Sequence, residues 1–371
     1  MARLFWAAMV SVLLLTQGLV HHALAQDSQA ADKQAWDRLV AAAQREGKVV
    51  VIGPPDQDVR QTLPAAFKAR FGVTLEYLGG RTSDQAGRLR AERSAGLYTT
   101  DLSISGVQSM STIFHRENML APLRPELILP EVLDGSKWKK GALWFADPEQ
   151  QYVLRISNQV QPSFYVNTAI VKPGEIRSGK DLLDPKWRGK IAGEDPTLLG
   201  SGVNMAARIY LAYGEEGVKQ LYVDQKPALS RDARQLTDWL LRGTYPIVFN
   251  ADQDQVDKMR SEGMPVMSVF GLPDLPATVS AGFGMVGLFS NAPHPNAAKL
   301  FINWLASKEG MEIWSRARKE VPTRSDIDAA SYLPATSIPQ AGIDYFDTYD
   351  WDFTINTRDK MRQHMKDLFG R

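Results

Sequence analysis

The fold turns on the stretch Lys48-Val49-Val50-Val51-Ile52-Gly53-Pro54-Pro55-Asp56, followed by Gln57 to Phe71 and then Gly72-Val73-Thr74-Leu75-Glu76-Tyr77-Leu78-Gly79-Gly80. Val49 to Ile52 is an unbroken apolar run, as a strand buried on both faces requires, and Gly53-Pro54-Pro55 ends it. Val59, Leu63, Phe67 and Phe71 then recur at helical spacing, with Gly72 closing the helix. Val73 to Leu78 reads as a second strand and Gly79-Gly80-Arg81 as a turn. Thr82-Ser83-Asp84 offers N-cap residues for a helix running to about Ala95. Upstream, Trp36, Leu39, Val40 and Ala43 mark a helix over Asp32 to Glu46. Downstream, Asp101 to Gly106 reads as a third strand. Strands alternating with helices of this length predict a mainly parallel α/β sheet. Ligands of such sheets bind beyond the carboxyl ends of the strands. Pro54-Pro55-Asp56, Gly80-Arg81-Thr82-Ser83 and Ser105-Gly106 are therefore expected along one edge.

The 371 residues exceed what one hydrophobic core usually organises, which predicts two domains or lobes. With 44% hydrophobic and 23% charged positions the chain has ordinary globular composition. It holds no cysteine, which excludes disulfides, thiolate metal sites, cysteine nucleophiles and a lipid-modified N-terminal cysteine. Arg3, the apolar run from Leu4 to Leu15 and Ala23-Leu24-Ala25 fit a cleavable secretory signal over residues 1–25, too short to span a bilayer. Removing it takes away Arg3 and no acidic residue, which brings 43 Lys+Arg level with 42 Asp+Glu. A neutral mature chain points away from a nucleic-acid partner and leaves any charge recognition to a pocket.

The middle of the chain repeats the alternation. Phe164 to Asn167 reads as a strand, and Asp181 to Ile191 as a short helix leading into another. Gly200-Ser201-Gly202 precedes a helix carrying Met205, Ala206, Ile209 and Tyr210, and Pro246 to Asn250 is a further strand. The last third returns with a strand over Ser280 to Phe289 and a helix carrying Ala298, Phe301, Trp304 and Leu305. Two α/β units with the chain passing between them imply a cleft.

Three segments carry a resemblance: Asp181 to Lys190 (DLLDPKWRGK), Pro295 to Gly310 (PNAAKLFINWLASKEG) and Val321 to Asp326 (VPTRSD). In this order, after Tyr165-Val166-Asn167, they resemble the periplasmic extracellular solute-binding protein family 1 of ABC importers, the group that contains the ferric-ion-binding proteins. The resemblance implies an α/β, two-lobed periplasmic binding protein fold of type II, a Venus flytrap with a ligand cleft between lobes. It implies lobe 1 from residues 26–155 and 276–320, and lobe 2 from 156–275 and 321–371. It also implies a monomer that delivers a solute to an inner-membrane ABC permease.

In the ferric-binding relatives adjacent tyrosines follow the strand that matches Pro246 to Asn250, with a histidine or acid after the first strand. Here these positions read Asn250-Ala251-Asp252-Gln253-Asp254 and Pro54-Pro55-Asp56-Gln57. Ferric iron favours several anionic oxygen ligands, and without the phenolates only Asp56, Asp252 and Asp254 remain. A small, anionic organic or phosphorylated solute is the expectation, with iron the alternative. Arg81, at a helix start behind two glycines, combines a fork of donors with unpaired N–H groups and suits a carboxylate or phosphate. The expected ligand-binding set is Pro55, Asp56, Arg81, Thr82, Ser83, Ser105, Gly106, Ser201, Gly202, Asn250 and Asp252. Asp56 reads equally well as an N-cap, and Asn250 and Asp252 as caps of the next helix. Tyr165 and Asn167 are read on the strand that crosses between lobes, with Arg155 just before it.

Other motifs lead nowhere. Gly282-Phe283-Gly284-Met285-Val286-Gly287 matches G-x-G-x-x-G, but no helix opens at the glycines, so a close-packed or hinge strand is expected. His115, His294 and His364 are widely separated and form no zinc pattern. Asp252-x-Asp254-x-x-Asp257 lacks the glycine and glutamate of a calcium loop. A periplasmic hydrolase using Asp56, Asp252 or Asp254 is the rival from another class; no catalytic residue, metal or cofactor is assigned.

Overall fold

Val49, Val51 and Ile52 are fully buried in β1 (Lys48–Gly53), which pairs in parallel with β2 (Thr74–Gly79) and β3 (Leu102–Ser105). The computed structural model describes residues 30–80, 82–198, 201–340, 342–343 and 345–370, with the side chains of Thr82 and Ser83 left aside. The expected helices are present: residues 30–46 precede β1, Gln57–Phe71 buries Val59, Leu63, Phe67 and Phe71, and Thr82–Ser94 follows β2. Gly72 caps the second of these in a left-handed conformation. The first body then adds two short strands, β4 (Leu120–Ala121) and β5 (Val153–Arg155).

The chain leaves along β6 (Ser157–Gln161) and builds a second body from β7 (Phe164–Asn167), β8 (Ile191–Glu194), β9 (Ala228–Ser230), β10 (Ile247–Val248) and β11 (Val266–Val269). It returns along β12 (Thr278–Ser280) into β13 (Met285–Phe289), and later adds β14 (Val321–Pro322) and β15 (Phe346–Asp347). The sheets are mixed rather than mainly parallel. The first has the order β2-β1-β3-β13-β4, with β5 also on β13, and the second β9-β8-β10-β7-β11. In both, three parallel strands are followed by one antiparallel strand, β13 against β3 and β7 against β10. The cause is directional. The parallel strands run toward the cleft, and a strand arriving from the other body enters at the cleft edge and must run away from it.

Tyr165 and Asn167 belong to β7 inside the second sheet, so they are not on the crossing strand, contrary to the sequence reading. The crossing is made by β6 and β12, which pair antiparallel with Gln159 opposite Ser280 and Gln161 opposite Thr278. The expected strand Ser280 to Phe289 is broken between β12 and β13 because Gly282 takes a positive φ of 54°. A methyl group there would overlap the Glu320 carboxylate. The G-x-G-x-x-G match is thus close-packed, as read, but its first half is the turn between β12 and β13 and not part of a strand.

Each body has its own core. In the first, Phe67 lies 5.3 Å from both Phe301 and Trp304. In the second, Ile191, Ile209, Leu221 and Ile247 are fully buried. The segment after β14 visits both: Ile327 packs in the first core, Trp351 beside Phe114 and Phe289, and Met361 and Met365 in the second core.

The two C-terminal motifs have physical explanations. PNAAKLFINWLASKEG forms the helix Pro295–Ala306, then Ser307 caps Lys308–Arg318 with a bond from the Gly310 N–H. Gly310 lies so close to the Trp304 carbonyl that no Cβ fits. In VPTRSD, Thr323 Oγ1 donates to the Arg155 carbonyl at 3.0 Å. Arg324 is fully buried, with Nη1 3.2 Å from the Glu131 and Ala306 carbonyls and Nη2 2.8 Å from Asp326.

Replacing Gly310 by Ala is expected to cost about 1–3 kcal/mol by overpacking, read as a lower urea midpoint at unchanged m-value. The Arg324 guanidinium holds the Asp326 carboxyl below the usual aspartate range. An acid with a folded pKa below its unfolded one stabilises fully above the unfolded value and less as pH falls through the folded one. Asp326→Asn should therefore flatten the loss of stability below about pH 4, measured by urea titration across pH 2.5–6.

Candidate functional site

Two cleft loops present the same tripeptide. Asp56-Gln57-Asp58 follows β1, and Asp252-Gln253-Asp254 follows β10. In each, the first aspartate is an N-cap: Asp56 Oδ1 accepts from the Val59 N–H and Asp252 Oδ1 from the Gln255 N–H, both at 3.1 Å. The last aspartate of each sits in the first helical turn, where the helix dipole favours an anion. The two tripeptides, Gln159 of β6, and Arg318 and Lys319 line one cavity of about 570 Å³. Its wall comes from both bodies and from the strand that joins them.

The charges in this wall are mostly spoken for. Arg318 Nη1 donates to Asp56 Oδ2 at 2.8 Å, and Arg318 Nε and Nη2 lie 3.3 and 2.9 Å from Glu320 Oε1. Burial works against this guanidinium's charge, but Glu320 and Asp56 outweigh it and lift its pKa above the ordinary arginine value. Lys319 Nζ lies 3.1 Å from Asp254 Oδ2 on the second body. Beside Asp56, the Tyr77 hydroxyl donates to the Pro54 carbonyl at 3.1 Å, and burial pushes that phenol up. The wall therefore offers carboxylates and amides as acceptors, with the arginine and lysine held in defined ion pairs.

The expected residues are distributed unevenly over this geometry. Asp56 and Asp252 line the cavity, and both also serve as the caps that the alternative reading proposed. Pro55 is exposed next to the lining, and Asn250, two residues past the end of β10, takes a positive φ of 63° and turns the chain into Ala251-Asp252. Ser105 is fully buried at the end of β3, with no hydrogen-bond partner for its Oγ, and Gly106 abuts Tyr349 and Gly282. Ser201 Oγ donates to Glu194 Oε2 at 2.7 Å, and Gly202 sits against the carbonyls of Glu194 and Asp195. Neither of these last two pairs belongs to the cavity lining. Arg81 lies outside the described residues, as do the side chains of Thr82 and Ser83. The turn before them adjoins the cavity loop: the Gly80 N–H donates to the Gly53 carbonyl at 3.0 Å, and Gly79 is against Pro54 and Pro55.

Asn167 is committed to the fold, donating to the Leu240 carbonyl at 3.0 Å. Arg155 is ion-paired with Asp347 and stacked 4.2 Å over the Trp144 ring. Arg318, Lys319, Gln159 and Asp58 are cavity residues that the sequence reading missed. Basic residues in a last helical turn are too common to stand out, but the repeated Asp-Gln-Asp was a usable signal.

The chain matches the bacterial extracellular solute-binding protein family over residues 62–337. No curated protein matches it by sequence. Among solved structures it is similar to iron-bound HitA from Pseudomonas aeruginosa, at 14% identity and a TM-score of 0.64, covering 86% of this chain and 99% of that one. It is similar to the ferric binding protein from Campylobacter jejuni, at 14% identity and a TM-score of 0.66, covering 87% and 99%. It is also similar to the periplasmic binding protein AfuA from Actinobacillus pleuropneumoniae with exogenous fructose-6-phosphate bound, at 18% identity and a TM-score of 0.61, covering 86% and 98%. At such identities the likeness establishes the two-lobed fold.

Asp56→Ala removes both a cap and one of the two carboxylates on Arg318. It is expected to lower stability by about 1–2 kcal/mol, whereas Asp58→Ala, with no cap to lose, should fall within about 0.5 kcal/mol of the parent in the same urea titration.

Proposed function

This chain belongs to the bacterial extracellular solute-binding proteins, and from that premise we propose that it is the periplasmic substrate-binding component of an ABC importer. It takes a small, anionic organic or phosphorylated solute between its lobes and delivers it to an inner-membrane permease. The observation that carries this reading is the polar cavity of about 570 Å³ walled by both bodies and by the joining strand. That volume suits a small ligand, and a solute touching both bodies stabilises the closed arrangement through contacts the open one lacks.

The lining favours a solute rich in hydroxyl groups. Asp58, Asp252, Gln57, Gln159 and Gln253 supply acceptors for hydroxyl protons. The anionic group is assigned to the segment Gly80-Arg81-Thr82-Ser83: Gly80 bonds to the loop that leads into this cavity, a helix starts at Thr82, and an arginine with a helix start suits a phosphate or carboxylate. AfuA, solved with fructose-6-phosphate, puts sugar phosphates first among the compounds to test. Iron is the second reading, because two of the similar structures are iron-bound or ferric-binding proteins. It is disfavoured because Asp56 and Asp254 are paired with Arg318 and Lys319, and no tyrosine pair follows β10. The same pairing leaves the hydrolase alternative without a ready acid–base couple, so we read the chain as a receptor, monomeric and without a nucleic-acid partner.

The test is a thermal-shift screen of residues 26–371 against separate panels of sugar phosphates, carboxylates, amines and ferric chelates. A solute at 100 times its Kd should stabilise by about 2.7 kcal/mol, and Arg81→Ala should cost a bound anion about 2–5 kcal/mol by calorimetry. A shift with ferric chelates alone, or unchanged anion affinity in Arg81→Ala, would overturn the assignment.

A further inference from the structure

Three consecutive residues, Arg318, Lys319 and Glu320, reach three different parts of the molecule. Arg318 Nη1 holds Asp56 in the first body's cleft loop at 2.8 Å. Lys319 Nζ spans to Asp254 Oδ2 in the second body's cleft loop at 3.1 Å. Glu320 Oε2 accepts a bond of 2.5 Å from Ser157 Oγ, where the outgoing strand β6 begins. The helix Lys308–Arg318 ends on Lys319 in a left-handed conformation, φ 54°, its N–H bonded to the Ser315 carbonyl. Such a conformation is uncommon for a side chain other than glycine or asparagine, yet it stands where neighbouring side chains must diverge to opposite bodies.

Glu320 is the anchor. It is 1% exposed, and its cation is Arg318 in the cavity wall. A buried carboxylate stripped of its partner is costly, so Arg318 stays with Glu320 whatever fills the cleft. Glu320 also touches both crossings: Ser157 opens β6, and Gly282, just after β12, lies against its carboxylate. Lys319 and Asp254, by contrast, are 59% and 71% exposed at the rim, free to part.

We propose that Arg318-Lys319-Glu320 is a latch: Lys319 clasps Asp254 to hold the two bodies closed, while Arg318 and Glu320 seat the clasp on the hinge. The latch rests on the reading of this cleft as the solute site, but it acts without solute.

The chain has no cysteine, so cysteines introduced at the exposed positions Ala69 and Lys258, one on each body, give a single pair of spin labels. In solute-free protein the inter-label distances should show a closed population. Lys319→Gln and Asp254→Asn should each raise the open-to-closed ratio about two- to fivefold, the range for an exposed pair. Exchanging the charges, Lys319→Asp with Asp254→Lys, should restore the closed population. Salt at about 1 M should open the parent and leave the single variants unmoved. Glu320→Gln should open the molecule with Lys319 and Asp254 intact; Ser157→Ala, which breaks the same anchor by a smaller change, reports if that variant does not fold. Glu309→Gln, an exposed ion pair within the first body, should change nothing. Distances and salt responses of Lys319→Gln and Asp254→Asn that superimpose on the parent would overturn the latch, as would failure of the exchanged pair to restore closure. Because no solute is added, this outcome is independent of the solute screen.

Discussion

Val279 lies opposite Val160, and the two strands that carry them, β12 and β6, are hydrogen-bonded antiparallel at the centre of the small sheet β14-β6-β12-β15, where the outgoing and returning passages of the chain meet. The rest of the architecture follows from that pairing. A strand that crosses arrives at the cleft edge of its destination and can only run away from the cleft. Each sheet therefore contains one strand opposed to its neighbours, β7 on arrival and β13 on return. The parallel strands of both sheets then point their carboxyl ends at each other across the gap. This is the geometry that puts binding loops at the edges of α/β sheets, here with two edges facing.

The same constraint explains the chemistry of the cavity wall. A loop that ends a strand and starts a helix needs an acceptor for the first free N–H groups, and aspartate supplies it at Asp56 and Asp252. Carboxylates are thus placed in the cleft for local reasons and become available to a solute by position. Their charge is offset by a helix that ends at the cleft instead of starting there, Lys308–Arg318, whose last turn carries basic residues. Helix starts bring acids and a helix end brings bases, in keeping with the dipole of each. Glu320, buried behind Arg318, extends this network to the crossing strands, so the wall of the cavity and the hinge share one set of ion pairs.

Much of this was legible in the residue order. The apolar run Val49 to Ile52, the face Val59-Leu63-Phe67-Phe71 and the helix PNAAKLFINWLA register in the periodicity, because burial of one face imposes a spacing that a sequence records. Asp56 and Asp252 were legible for the same reason, since a cap sits at a fixed offset from its helix. The strand over Ser280 to Phe289 was misjudged because apolar periodicity is blind to Gly282, whose positive φ breaks it and whose missing Cβ leaves room for a carboxylate from residue 320. Tyr165 and Asn167 were misplaced because period and hydrophobicity do not distinguish a strand inside a sheet from the one just before it that leaves.

The sequence alone determined the two α/β units, the family resemblance, the absence of thiol chemistry and of the tyrosine pair, and the acidic caps at two strand ends. All of these are local patterns or simple presences and absences. Only the tertiary structure decided that those two caps face one another, that Arg318 and Lys319 close the space between them, and that Glu320 ties them to the crossing strands. Those relations join residues about 60 to 260 positions apart, such as Arg318 with Asp56 and Lys319 with Asp254. Ion pairs and close packing at such separations depend on where whole elements come to rest, and leave no period or spacing in the chain.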